Sequence, residues 1–305
     1  MSADTRPFPS LNRRVLLGCM AGSLLWPSAM PSVAGAQKPP LRIASLDYGL
    51  ASTLVSLGLP PAAVVSLGDW NRWVVEPALP QATLDLGSSW EVNVEALVML
   101  KPDLIVTTPY LDSLLPRLKD IAPVERLDIF SETGGDILPK AIAATRQLAA
   151  RIDRVAEGEA FLASAEETFA DYRQRLALHP RPPLALVNFM DARHVRIYTR
   201  GGLYDNALER IGVRNAWTGP GNYWGFQTIG IEQLSEITAP DARLIAFDPV
   251  PADVLPKLSQ SPLWNALPFA RPGHLAVLPP ALMFGMVNEA LRFTRLITAH
   301  LEQTA

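Results

Sequence analysis

The chain has 305 residues, 49% of them hydrophobic and 19% charged, a composition that suits a soluble globular protein of about two domains. A formal charge of −3 leaves no basic footprint for nucleic acid, and 28 prolines scattered among apolar runs fit many short connections rather than disorder. After residue 36, no apolar run approaches the roughly 18 residues of a membrane span.

Residues 1–36 read as a signal peptide outside the fold. Arg13-Arg14 stands directly before Val15-Leu16-Leu17, and Ala34-Gly35-Ala36 offers the small residues of a cleavage site. The arginine pair points to the twin-arginine (Tat) export route, with a general secretory signal as the alternative. Leu16-Leu17-Gly18-Cys19 resembles a lipobox, but the four residues between Arg14 and Cys19 fall short of the about 7–15 of an apolar signal core. Cleavage after Ala36 leaves a mature chain without cysteine, so without disulfide, thiolate metal site or cysteine nucleophile.

The mature chain then alternates strand-like and helix-like runs. Leu41–Leu46 reads as a buried strand, Leu50–Leu57 as a helix with Gly58 as its C-cap, and Val64–Leu67 as a second strand. An aromatic-polar loop, Asp69–Trp73, and a turn-rich link, Asp85–Trp90, lead to a helix over Asn93–Leu100 and a β-branched strand over Leu104–Thr108. From Asp136 to about Leu178, apolar residues recur at three-four spacing, which predicts a long helix. Asp136 is its expected N-cap, Pro180 and its neighbours stop it, and a kink or break is expected near Gly158, with the change of role between Asp153 and Gly158; two ordinary helices joined by a short turn are the alternative. Beyond it come strands over Leu184–Phe189 and Val195–Tyr198, a helix over Leu203–Ile211 capped by Gly212, and a glycine- and aromatic-rich loop over Asn215–Gly225. A short helix over Ile231–Ile237, strands over Leu244–Phe247 and at Val277-Leu278, and a helix from about Ala281 to Leu301 complete the chain.

Two stretches recur in order on either side of the long helix. Leu54-x-x-Leu57-Gly58-Leu59 parallels Leu208-x-x-Ile211-Gly212-Val213, and Val94-Glu95-Ala96-Leu97 with Pro102-Asp103-Leu104-Ile105 parallels Ile231-Glu232-Gln233-Leu234 with Pro240-Asp241 and Leu244-Ile245. The expected fold is therefore α/β: two mainly parallel-sheet lobes, residues 37–148 and 177–305, joined by one long helix over residues 149–176. A ligand cleft is expected between the lobes.

Catalysis finds little support. His179, His194, His274 and His300 fall in unrelated places, and no His-x-x-x-His, Gly-x-Ser-x-Gly or Walker loop occurs. Gly219-x-Gly221 follows no clear strand and reads as turn chemistry. Trp70, Trp73, Trp90, Trp217 and Trp224 lie in predicted loops, where binding residues concentrate, whereas Trp264 reads as structural. Tyr110 directly follows a strand, where a parallel sheet opens its ligand crevice. An aromatic cleft with few charges suits a bulky amphipathic ligand.

The chain resembles the periplasmic ferric-hydroxamate-binding proteins, substrate-binding components of ABC importers whose two lobes share one helical linker. The resemblance spans the mature chain and is carried by Trp73–Pro80, by Asn93-Val94-Glu95 with Leu100-Lys101-Pro102, by Asn215–Gly225, and by Pro262–Arg271. It implies a monomeric, soluble periplasmic protein, not an enzyme, that hands a ferric siderophore to an inner-membrane permease. Iron then enters only within the chelate, with no cofactor or metal ligand on the protein. The resemblance places Trp73, Tyr110, Trp217 and Trp224 on the cleft wall, with Tyr110 bonding the iron-hydroxamate centre. Two features depart from the family pattern: its arginine, which contacts the hydroxamate oxygens, falls on Ser89, and its aromatic pair ahead of the last helix falls on Leu282 and Phe284. Arg72 or Arg200 is the expected substitute cation, and Trp90 a stacking surface. Glu95 and Glu232, at matched positions in the two lobes, are expected to dock the permease; solvated surface charge is the alternative. Alternatives for the ligand are haem or a corrinoid on the same scaffold, and a less favoured alternative for the protein is an exported α/β enzyme.

Overall fold

A computed structural model of the protein describes residues 41–132 and 134–304. The expected signal peptide lies outside the described residues.

The N-terminal lobe is built on five parallel strands: β1 (Ile43–Ser45), β2 (Ala63–Val64), β3 (Leu84–Asp85), β6 (Leu104–Thr107) and β7 (Val124–Arg126), in the order β3-β2-β1-β6-β7. Between them run α1 (Tyr48–Ser56), α2 (Trp70–Trp73), the small hairpin β4 (Gly87–Ser88) and β5 (Glu91–Val92), α3 (Val94–Leu100) and α4 (Leu115–Lys119). Two helices follow, α5 (Ile137–Arg151) and α6 (Val155–Leu176). The C-terminal lobe comprises β8 (Leu184–Phe189), β9 (His194–Tyr198), α7 (Leu203–Arg210), β10 (Phe226–Gly230), β11 (Arg243–Phe247), α8 (Val254–Ser259), α9 (Pro262–Asn265), β12 (Leu275–Leu278) and α10 (Val287–Gln303). Its sheet order is β10-β9-β8-β11-β12.

The lobes are α/β as expected, but the second sheet is mixed: β8, β11 and β12 are parallel, while β9 and β10 run antiparallel to their neighbours. Only residues 190–193 separate β8 from β9, too few for a crossover, so the pair closes as a hairpin. Asp191 holds that turn by accepting from the backbone N–H groups of Arg193 and His194 at 2.6 and 2.8 Å. The strand β10 has no counterpart in the sequence reading, because Gln227, Thr228 and Gly230 dilute its apolar alternation.

The repeated glycines have one geometry. Gly58 (φ +73°) and Gly212 (φ +72°) both take the left-handed conformation that glycine adopts without a Cβ penalty. Leu59 N donates to Leu54 O and Val213 N to Leu208 O, both at 3.0 Å, closing the same Schellman turn after α1 and after α7.

The long stretch is two helices joined by a short turn, broken at Asp153 at one end of the expected range, with Gly158 inside the second helix. Asp153 takes φ +58°, and Arg154 N reaches back to Ala149 O at 2.7 Å, a Schellman closure made without glycine. Gly158 is instead an ordinary residue of α6 at a close crossing: a Cβ there would lie 2.7 Å from the Ala149 side chain. Asp136 flanks α5 as expected but does not cap it. Its carboxylate accepts from Asn206 Nδ2 at 3.1 Å, and Asn206 Oδ1 on α7 accepts the Leu138 backbone N–H at 3.1 Å. The start of α5 is thereby tied to the C-terminal lobe, while Glu125 on β7 holds its far end through Gln147 and Arg151.

The helix α6 links the lobes. Its 22 residues span about 33 Å, with Gly158 beside Leu57, just after α1, at one end and Glu166 paired to Arg210 of α7 at 2.7 Å further along. One apolar core runs from Ile43, Leu54 and Leu104 through Leu148, Leu162 and Phe169 to Leu186, Phe247 and Phe293. Strand alternation sends the other faces into separate cores, Ala44, Val65 and Ile105 in one lobe and Val187, Leu244 and Trp264 in the other. Swinging the lobes apart would expose the shared core, which sets them at a nearly constant distance.

Candidate functional site

In each sheet the strand order reverses beside the first strand, between β1 and β6 and between β8 and β11. An open α/β sheet leaves a crevice at the carboxyl ends of the strands at such a point. The two crevices face one another and form a cavity of about 600 Å³. Leu46, Asp47 and Tyr48 enter it from the end of β1, Val65 from β2, Thr108 and Tyr110 from β6. Asn188, Phe189 and Met190 enter from β8, Pro249 from β11, and residues 281–284 from the segment after β12.

Aromatic rings dominate the wall. Trp90 stands over Tyr110 at 5.3 Å, Tyr110 over Trp224 at 6.0 Å, and Trp224 stacks on Phe130 at 5.1 Å and meets Phe284 edge-on at 5.3 Å. The row crosses from one lobe to the other. Trp90 is 84% exposed and Tyr110 39%, so these two rings form the mouth. The turn over residues 222–225 aims Trp224 inward: Asn222 Oδ1 accepts from Trp224 N at 3.0 Å and Phe226 N at 3.3 Å, and Gly225 (φ +80°) passes against Gly202 where a side chain has no room. Partial burial raises the Tyr110 phenol above its ordinary pKa, so it is a hydrogen-bond donor at neutral pH.

Trp73, Ser89, Trp90, Tyr110, Trp224, Leu282 and Phe284 thus line one cavity. Trp217 does not. It is buried in the outer core of the C-terminal lobe, where Gly219 lets the chain pass 2.6 Å from its ring, measured to a notional Cβ. A loop position in sequence did not mean an exposed ring, because this loop folds back over its own tryptophan. Trp70 is likewise core, its Nε1 donating to Pro77 O at 3.0 Å, and Trp264 is buried as read. The two arginines expected to supply a cation are also elsewhere. Arg72 is exposed, 4.0 Å from Asp69 and 4.9 Å over the Trp73 ring, and Arg200 is exposed at the turn before α7. The cavity's cation is Arg196, on β9. Its signal was the alternation Val195-Arg196-Ile197-Tyr198, which puts Arg196 and Tyr198 on one face once the opposite face is core.

Two acids interact here, Asp47 on the cavity wall and Glu289 buried outside its lining. Asp47 caps α1 by accepting from Leu50 N at 2.9 Å, and burial pushes its carboxyl up to about 6. Glu289 on α10 accepts from Met286 N at 2.7 Å; burial, with the Asp47 charge adding to it, pushes it up to about 7. Both bind protons more tightly folded than unfolded, so their contribution is complete below about pH 4 and is lost as pH rises through 6 to 7. Stability, and with it the melting temperature, is expected to fall between pH 5 and pH 8, by roughly 4 kcal/mol. Glu289→Gln should flatten most of that slope; a wild-type melting temperature constant across this range would contradict the assignment.

The sequence model of the periplasmic binding protein family matches residues 43–282. The chain belongs to the periplasmic binding protein family. It is 30% identical over 290 residues to the iron(3+)-hydroxamate-binding protein FhuD of Escherichia coli, covering 95% of this chain and 96% of that one. It is 28% identical over 208 residues to the achromobactin-binding periplasmic protein of Dickeya dadantii, covering 66% and 65%. Among solved structures, the siderophore-binding protein FhuD of Vibrio cholerae with Fe3+–desferal bound superposes with a TM-score of 0.80 at 26% identity, over 87% of this chain and 99% of that one. All three relatives are named as binding proteins. No helix of the described residues in this periplasmic binding protein is long and apolar enough to cross a membrane.

Glu95 and Glu232 are exposed, one on each lobe. Glu95 sits in the first turn of α3, capped by Asn93 Oδ1 accepting from Ala96 N at 2.9 Å. Glu232 lies in the turn after β10. Among the described residues, no three His, Cys, Asp or Glu side chains gather to hold a metal ion.

Proposed function

We propose that this periplasmic binding protein captures a ferric hydroxamate siderophore, or a similar ferric chelate, and delivers it to an inner-membrane ABC permease. The aromatic cavity between the two switch points carries this reading. Its volume, about 600 Å³, suits a ligand-sized guest, and its rings offer contact area while the Tyr110 phenol offers a donor. The similarity to the Escherichia coli iron(3+)-hydroxamate-binding protein supports the ligand class. The chelator saturates iron's coordination, so the protein recognises the outside of the chelate and supplies no metal ligand or cofactor. The protein works as a monomer, exported by the signal in residues 1–36 through the Tat route. Glu95 and Glu232 present one carboxylate from each lobe to the permease.

Titrating the mature protein with ferric hydroxamates should quench tryptophan fluorescence at micromolar or tighter affinity, because Trp90 and Trp224 border the cavity. Absence of quenching with ferrichrome-, coprogen- and ferrioxamine-type chelates would remove the siderophore assignment. Glu95→Lys with Glu232→Lys should leave this titration unchanged and abolish uptake in cells; normal uptake would dispose of the docking role.

A further inference from the structure

One cationic side chain lines the cavity and is held in no ion pair among the described residues. Arg196 lies at the middle of β9, in register with Asn188 on β8 and Thr228 on β10. Its strand neighbours Val195 and Ile197 are fully buried in the outer core, which leaves the guanidinium on the cavity side. There it lies 4.5 Å over the Phe226 ring and 5.7 Å from Phe284. The Tyr198 phenol, bonded to Asn188, is its polar neighbour. Its Nε is buried with no hydrogen-bond acceptor, and it forms no ion pair among the described residues.

Holding a guanidinium against aromatic rings with a buried, unmet N–H is unfavourable for the empty protein. The same arrangement is favourable when a guest supplies oxygens. The rings hold the planar fork in one orientation, and a fork of N–H donors matches a pair of anionic oxygens better than a point charge does. Asn188 and Tyr198 line the same wall.

We propose that Arg196 is the specificity-determining residue of the cavity, its guanidinium receiving the metal-coordinating oxygens of the ferric chelate from the C-terminal lobe. The proposal rests on the ferric-chelate reading above and adds where the chelate's charged face points. It selects chelates whose anionic oxygens are open on one side over those shielded all round.

The test compares wild type, Arg196→Gln and Arg196→Lys by fluorescence titration against ferric desferrioxamine, ferric citrate and a ferric tricatecholate, with melting temperatures alongside. Arg196→Gln should weaken whichever chelate the wild type binds by about tenfold or more. Its melting temperature should hold or rise, since no ion pair is lost. Arg196→Lys should fall between, keeping charge and losing the fork, and wild-type affinity should drop with added salt more than that of Arg196→Gln. Affinity within twofold of wild type in Arg196→Gln would overturn the proposal. If Arg196→Gln does not fold, equal affinity of Arg196→Lys and wild type would overturn it, and a fivefold or greater loss would support it. Binding of citrate or catecholate but no hydroxamate would remove the hydroxamate reading, and Arg196 would be judged on the chelate bound. Binding of none of the three would overturn both.

Discussion

Replacing Trp224 by alanine is expected to weaken ferric hydroxamate binding about a hundredfold, within the range of a central aromatic anchor. Trp224 sits where the aromatic row crosses between lobes, touching Tyr110, Phe130, Tyr223 and Phe284. Removing its indole takes away contact area for the guest and the surface on which its neighbours are aligned. The same contacts give it a structural share, since Trp224 packs against the core shared by the lobes. The melting temperature should therefore fall by a few degrees, roughly 1–2 kcal/mol. Tyr110→Ala separates the two effects. Among the described residues its ring touches only Trp90 and Trp224 as aromatic neighbours, and it is 39% exposed, so affinity should fall about tenfold with little change in melting temperature. Equal losses of stability in the two variants, with affinity unchanged, would make the row a packing feature and not a binding surface.

Glu76→Ala is expected to destabilise the protein by about 3 kcal/mol, the low end for breaking a buried ion pair because Glu76 is half exposed. Glu76, in the loop after α2, accepts from Arg292 at 3.0 Å and from Arg295, both on α10. Arg292 is only 7% exposed, and its Nε also donates to Pro280 O at 2.8 Å, just ahead of the cavity wall at 281–284. Without Glu76 a buried guanidinium keeps one partner and loses its charge balance. Burial raises the Glu76 pKa, but the bonds from the two arginines outweigh this and hold the carboxyl below its ordinary value. Its contribution is thus present at neutral pH and lost as pH falls below the usual carboxylate range. Denaturant melts at pH 7 should show the full difference between wild type and Glu76→Ala, shrinking at pH 3. A difference below about 0.5 kcal/mol at pH 7 would reduce the pair to a surface contact.

Much of the architecture was legible because it is written in local chemistry. Alternating strand and helix periods, the Gly58 and Gly212 turns and the matched Pro-Asp turns are each specified by a few adjacent residues. Position after a strand end also announced Tyr110, since the crevice of a parallel sheet opens there. The failures have two causes. The bond to the start of α5 comes from Asn206, far along the chain and outside any window of neighbours. Trp217 is covered by its own loop, where the residues are neighbours but their types do not specify the path the backbone takes.

From the sequence alone came two α/β lobes, a helical link and an aromatic cleft, because period, turn residues and apolar runs encode secondary structure and its order. Only the tertiary structure decided which aromatics meet, that the second sheet is mixed, and that the cleft's cation is Arg196 rather than Arg72 or Arg200. A side chain's direction on a strand depends on which face is core, and that face is set when the lobes pack around their shared helices.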